Sequence, residues 1–271
     1  MQGRLFAENG MPLGSVEPHQ LLLKQPAAEQ KIYKVMSFEN FIKSSSGNYL
    51  HFQRVDTFKD FTNADTCDGQ QLPLDQIGNQ DIHFAKDPAY TAATYYDYSR
   101  SRTYACCFSL ENSDYICREY GNEDESLGKV CLVFEFGKLR KFLNQTFGQS
   151  SLICGDLQCH QIFSINYGIV EYVKREEHRQ NQERLPNPIQ YTYLKDEEKY
   201  GREKELRISL SAMGIGKFVL DSGAPFNFAS TMQVRFDFRS ALANDVIEQI
   251  LTINPEIKSK LEALDWSIQT S

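Results

Sequence analysis

The strongest constraint on this chain is a series of short apolar runs bounded by turn residues, of which KVCLVFEF at 129–136 is the most strand-like. β-Branched and aromatic side chains suit a pleated, half-buried surface, and runs of this length are too short for the core helices of a bundle. KIYKVM at 31–36, YLHFQ at 49–53, TYACCFSL at 103–110 and MQVRFDF at 232–238 read the same way. HQIFSINYGIVEYV at 160–173 reads as one long strand or as a hairpin broken near Gly168. Helical stretches fall between these runs without alternating strictly with them. Ser37 is placed to cap FENFIK, Asp87-Pro88 to open a Tyr-rich helix through Arg100, and Gly121 to end SDYICREY. GKLRKFLNQ follows at 137–145. A further helix is expected from about Ser240 until Asn254-Pro255 breaks it and starts another. Residues 61–86 and 174–189, polar or charged with little periodicity, read as long loops. Strands with helices inserted between them predict an α+β fold on a mixed or largely antiparallel sheet.

The 271 residues are enough for one large domain, expected over 31–271, with residues 1–30 as an arm that docks through the apolar knot at 21–23. A hydrophobic content of 41% and an aromatic content of 12% argue for a folded chain, and a net charge of -7 argues against broad binding to a phosphate backbone. The odd count of seven cysteines, without a disulfide-scaffold spacing, points to a reducing, cytosolic environment. No stretch approaches the roughly 18 apolar residues of a membrane span, and the N-terminus lacks the basic start and apolar run of a signal peptide.

Several chemistries find too little support. Cys154, Cys159 and His160 have no second ligand pair to complete a tetrahedral zinc site, so no metal is expected. Cys106 and Cys107 stand in an apolar strand, where thiols are inert. GIG at 214–216 lacks the frame of a phosphate-cradling loop. YGREKELRISL at 200–210 is more informative, because Glu203 and Glu205 are two apart at the start of a strand and strand alternation puts them on one face. Two readings are open: a catalytic acid pair, or solvated charges stitched to Lys204 and Arg207.

The order of four phrases bears on that choice: IYKVMSFENFIKSSSGNYLHFQRVDTFKDF, RTYACCFSLENSDYICREYG, KVCLVFEF and YLKDEEKYGREKELRI. Over about residues 31–262 it resembles an uncharacterised bacterial domain family. That family runs from Tyr-Lys/Arg and Ser-Phe through a Phe-x-Asp turn, Cys-Phe-Ser and Trp…Tyr to Glu-x-Glu-x-Arg. Cys117 stands where the family pattern has Trp. The same order is similar to the ADP-ribosyltransferase superfamily, which presents a basic residue on an early strand, a serine on a middle strand and a glutamate on a late one.

This resemblance implies an ADP-ribosyltransferase-like sheet and a mono-ADP-ribosyltransferase that uses NAD as substrate, without a metal. It implies that Glu205 stabilises the oxocarbenium-like centre and holds the nicotinamide ribose, and that Glu203 orients an acceptor guanidinium. Ser109 would hold the ribose side of the dinucleotide, with Lys34 or Arg54 at the diphosphate or adenosine ribose and Arg102 a third basic candidate. Tyr120 is a ring-stacking or packing residue, as are Tyr95, Tyr96 and Tyr98, and loop 174–189 stands where the superfamily recognises its acceptor. The implied partner is a protein arginine, with a host protein as target where such enzymes are bacterial toxins or effectors secreted into a host cell. Two alternatives are a module that binds a nucleotide or ADP-ribose without transfer, and a toxin that hydrolyses NAD or modifies nucleic acid.

Overall fold

A computed structural model describes residues 5–7, 17, 22–60, 65–79, 91–121, 128–149, 152–154, 157–159, 163–180, 187–212, 218–220, 222–252 and 255–266. The first part of the chain comprises β1 (Leu5–Ala7), β2 (Lys31–Ser37), α1 (Phe38–Gly47), β3 (Tyr49–Arg54), a 3-10 turn (Val55–Asp60), α2 (Pro73–Asn79), α3 (Ala92–Arg100) and β4 (Thr103–Ser109). Next come α4 (Asp114–Glu119), β5 (Lys129–Glu135), α5 (Phe136–Gln149), β6 (Leu152–Cys154), β7 (Leu157–Cys159), β8 (Phe163–Ile169) and β9 (Glu171–Val173). The last part holds α6 (Pro188–Tyr191), β10 (Leu194–Asp196), α7 (Glu197–Tyr200), β11 (Glu205–Ala212), β12 (Phe218–Leu220), β13 (Thr231–Arg235), α8 (Phe238–Ala243), β14 (Ile247–Thr252) and α9 (Pro255–Ala263).

The architecture is α+β, built on an eight-stranded sheet whose strand pairs are all antiparallel. Its centre is β4. One side of β4 pairs with β11 along its length, from Glu205↔Ser109 to Ser211↔Thr103, and β11 in turn pairs with β8. The other side is shared, because β3 takes Ala105 and Tyr104 while β2 takes Ser109. The sheet therefore forks at β4, with β3 and β13 on one branch and β2, β5 and β14 on the other.

One face of the sheet is apolar. Ile32, Phe52, Phe134, Ile208 and Leu210 on the strands pack with Phe41 of α1, Leu139 and Leu143 of α5, Phe238 of α8 and Leu261 of α9 in a single buried cluster. Each such side chain, fully buried, contributes about 1.5–3 kcal/mol, so this face supplies the fold's main driving force. The opposite face of β11 and its neighbours carries Arg207, Ser209, Ser164 and Asn166, all buried. A smaller cluster of Leu72, Tyr96, Val173, Tyr191 and Leu194 accompanies this polar layer. At the edge of β8 the Ile169 N–H donates to the Lys24 carbonyl at 2.7 Å. Glu17 accepts from Arg140 Nε at 3.0 Å.

Ser37 caps α1 as its sequence predicts, accepting from the Asn40 N–H at 3.2 Å. Three local expectations need correction. Within the expected loop 61–86, residues 73–79 form α2, with Pro73 as first helical residue. Helix α3 begins at Ala92 with Thr91 as its cap; Asp87-Pro88 lies outside the described residues. The helix expected from Ser240 to Asn254 stops at Ala243, and β14 follows on the edge of β5. A bulge between Ile247 and Gln249 inserts an extra residue there, so the buried Ile247 and Ile250 stand three apart and imitate helical spacing. No described helix is long and apolar enough to cross a membrane.

Candidate active site

The fork in the sheet creates a pocket. β2 touches β4 only through Tyr33↔Ser109 and then diverges from it. The carbonyl of Cys107, deprived of a strand partner on that side, accepts from Lys34 Nζ at 3.1 Å. Helix α4 lies beside the gap, its start capped by Ser113. Gly121, at φ +72°, turns the chain so tightly against Met36 that a Cβ there would stand 2.8 Å from the Met36 carbonyl carbon. Tyr33, Val35, Phe108 and Ile116 make the apolar wall of the pocket. Cys107, Ser109, Tyr120, Glu203 and Glu205 make the polar one, and the empty space between them, open solvent included, is about 350 Å³.

Glu203 and Glu205 meet here, although not by strand alternation. β11 starts only at Glu205, and Lys204 before it has φ 46°, so Glu203 reaches the site from a turn. Both carboxylates are buried, which overturns the reading of the pair as solvated surface charges. Lys195 Nζ bridges them, 2.6 Å from Glu203 Oε2 and 3.1 Å from Glu205 Oε2. Glu205 also accepts from Arg207, from Nε at 2.6 Å and from Nη2 at 3.2 Å. Arg207 in turn grips Asp68 and donates to the Thr192 carbonyl at 2.7 Å. Tyr120 donates its hydroxyl to Glu203 Oε1, and the Glu205 N–H donates to the Tyr172 hydroxyl at 2.8 Å.

The two carboxyls are driven apart in acidity. Burial and then the neighbouring Glu205 push Glu203 up, with Lys195 opposing. Burial acts the same way on Glu205, but Arg207 and Lys195 together outweigh it and hold that group below the usual carboxylate range. Lys195 stays charged because its carboxylate neighbours, Glu205 first, more than offset burial. Burial and the nearby Glu203 raise the Tyr120 phenol, and burial together with Glu205 raises the Cys107 thiol.

Ser109 Oγ donates to the Glu203 carbonyl at 2.9 Å and accepts from the Glu111 N–H at 3.2 Å, fixing the loop beside the pocket. None of the three basic candidates lines the pocket, although Lys34 contacts the Cys107 backbone and the Phe108 ring behind it. Lys34 projects from the strand face opposite Tyr33 and Val35, its amine 5.1 Å from the Phe108 ring centre. Arg54 pairs in register with Tyr104, five residues along β4 from Ser109 and therefore about 17 Å away along the strand. It is held there by Asp56 Oδ1 at 2.6 Å and by the Phe228 carbonyl. Arg102 lies beyond the far end of β4 and stacks on Phe218 at 5.5 Å. Tyr96 packs against Tyr191, with ring centres 5.1 Å apart, in the smaller cluster. No Lys or Arg is among the described residues lining the pocket. Residues 181–186 of loop 174–189, and His160 beside Cys159, lie outside the described residues; among those described, no cluster of His, Cys, Asp and Glu is able to hold a metal ion.

Asp68, Lys195 and Tyr172 belong to this site and have no local sequence signature. Lys195 lies in the quoted YLKDEEKYGREKELRI, but only the fold brings it to the two glutamates. No protein-family model matches the chain, and no curated protein matches it significantly.

Proposed function

We propose that the pocket cleaves the nicotinamide–ribose bond of NAD and passes ADP-ribose to a protein side chain, arginine being the expected acceptor. The observation that carries this reading is the row Tyr33, Ser109, Glu205, side by side on three adjacent strands, with Glu203 and Tyr120 on the same pocket wall. An aromatic and aliphatic wall opposite two carboxylates suits a flat base attached to a ribose. In the reaction the C–N bond breaks with its electron pair leaving on the nicotinamide nitrogen, which neutralises the pyridinium. The positive charge that develops at the ribose carbon is stabilised by the carboxylate pair. A guanidinium nitrogen then bonds to that carbon and releases its proton to solvent. The lining residues supply contacts for the nicotinamide–ribose half, and the diphosphate extends beyond them.

The test is incubation of the protein with NAD labelled in its adenylate part, in lysate of a candidate host cell, with free nicotinamide measured alongside. Label on protein with equimolar nicotinamide is the expected result. Free ADP-ribose without labelled protein identifies water as the acceptor, and unconsumed NAD refutes the reading.

A further inference from the structure

We infer that Glu203, rather than Glu205, is the carboxylate this pocket turns toward a pyridinium ring on its ligand. Among the described residues, three carboxylates in direct contact, Asp68, Glu203 and Glu205, share two cations, Lys195 and Arg207, so with all five ionised this set holds one negative charge in excess. That excess is not spread evenly along the pocket wall. Glu205 touches both cations, with Arg207 Nε at 2.6 Å and Lys195 Nζ at 3.1 Å. Freeing it would leave Arg207, which has no exposed surface, short of a carboxylate. Among the described residues Glu203 has one cation, Lys195 at 2.6 Å, and its other oxygen accepts from the neutral hydroxyl of Tyr120. Tyr120 lines the pocket at that oxygen, so a ligand cation that reaches Glu203 takes the place of its hydroxyl. Glu203 stands in a turn while Glu205 is locked into a strand ladder, so the side chain with the less compensated charge is also the one freer to adjust. The raised pKa of Glu203, set by burial and by Glu205, agrees with that excess charge.

This assignment departs from the roles that the family resemblance implies, which put Glu205 at the nicotinamide ribose and keep Glu203 for the acceptor. It rests on the proposed pocket, but its cation preference is measurable without any turnover of NAD. The probe is the N-methylnicotinamide cation, compared with neutral nicotinamide by calorimetry at neutral pH. Wild type is expected to bind the cation at least tenfold more tightly. Glu203→Gln is expected to lose that preference and Glu205→Gln to keep it. Should Glu205→Gln fail to fold, Tyr120→Phe replaces it, since that variant leaves the Glu203 charge in place and is expected to retain the preference. No preference in wild type, or its survival in Glu203→Gln, overturns the inference. Loss in Tyr120→Phe equal to that in Glu203→Gln also overturns it. If the preference follows Glu203 while wild type releases no nicotinamide from NAD, the transferase reading falls and the cation site stands.

Discussion

Arg207 and Asp68, 139 residues apart in the chain, meet through two parallel hydrogen bonds, Nη1 to Oδ1 at 2.5 Å and Nη2 to Oδ2 at 2.9 Å. Both side chains are buried, so this contact fastens the segment before α2 onto the polar face of β11 and fixes Arg207 behind Glu205. Asp68→Asn keeps the shape and removes the charge. Arg207 keeps Glu205, but one buried N–H donor loses its acceptor, and the expected loss is about 1–3 kcal/mol of stability. Denaturant unfolding with an unchanged slope and a lower midpoint checks this. A midpoint equal to wild type would mean that the pair is not formed in solution.

The pH dependence of stability separates the two glutamates. The folded-state pKa of Glu203 is raised, so its protonated form is favoured by folding and its contribution improves as pH falls through that value toward the ordinary carboxyl range. That of Glu205 is lowered, so its contribution is present above the ordinary range and is lost as pH falls below it. Thermal melts of Glu203→Gln are therefore expected to lack a gain on mild acidification that wild type shows. Glu205→Gln is expected to lack part of the wild-type loss at lower pH. Parallel curves for all three proteins would contradict the separation.

Two glycines with positive φ provide a matched pair. A Cβ on Gly121 would strike the Met36 backbone at 2.8 Å, whereas one on Gly223, at φ +79°, meets nothing within 4 Å. Gly223→Ala is expected to cost about 1 kcal/mol from the left-handed backbone alone. Gly121→Ala should cost clearly more and should displace Tyr120 from Glu203. Melting temperatures check the ranking, and equal shifts would contradict the close approach.

Gly168 reports on the layer over β11. A Cβ there would stand 2.7 Å from the ring of Tyr193, which is buried and bonded to Ser209 at 2.8 Å and so has little room to yield. Gly168→Ala is expected to destabilise by about 1–3 kcal/mol through overpacking. An unchanged unfolding midpoint would show that the ring moves freely.

Much of this organisation was readable in the sequence, for local reasons. Apolar runs mark β2, β4 and β5, and Ser37 marks the start of α1. The α+β class follows from where helices interrupt strands. The spacing of Ile247 and Ile250 misleads because a bulge, set by pairing with β5, changes the strand's period. Glu203, Glu205, Ser109 and Tyr120 converge on one pocket as a sequence-derived set, whereas Arg54 and Arg102 do not, since position along β4 depends on register. Asp68 and Lys195 were illegible, because no local pattern ties either one to Arg207 or to the glutamates.

The most direct test of the central claim is nicotinamide release from NAD by wild type and by a variant carrying Glu203→Gln and Glu205→Gln together, each first shown to be folded. If the carboxylate pair stabilises the positive charge at the ribose carbon, wild type releases nicotinamide and the double variant is slower by at least about 100-fold. Absence of release from wild type, or equal rates in the two proteins, would contradict the account and leave the buried network a purely structural clamp.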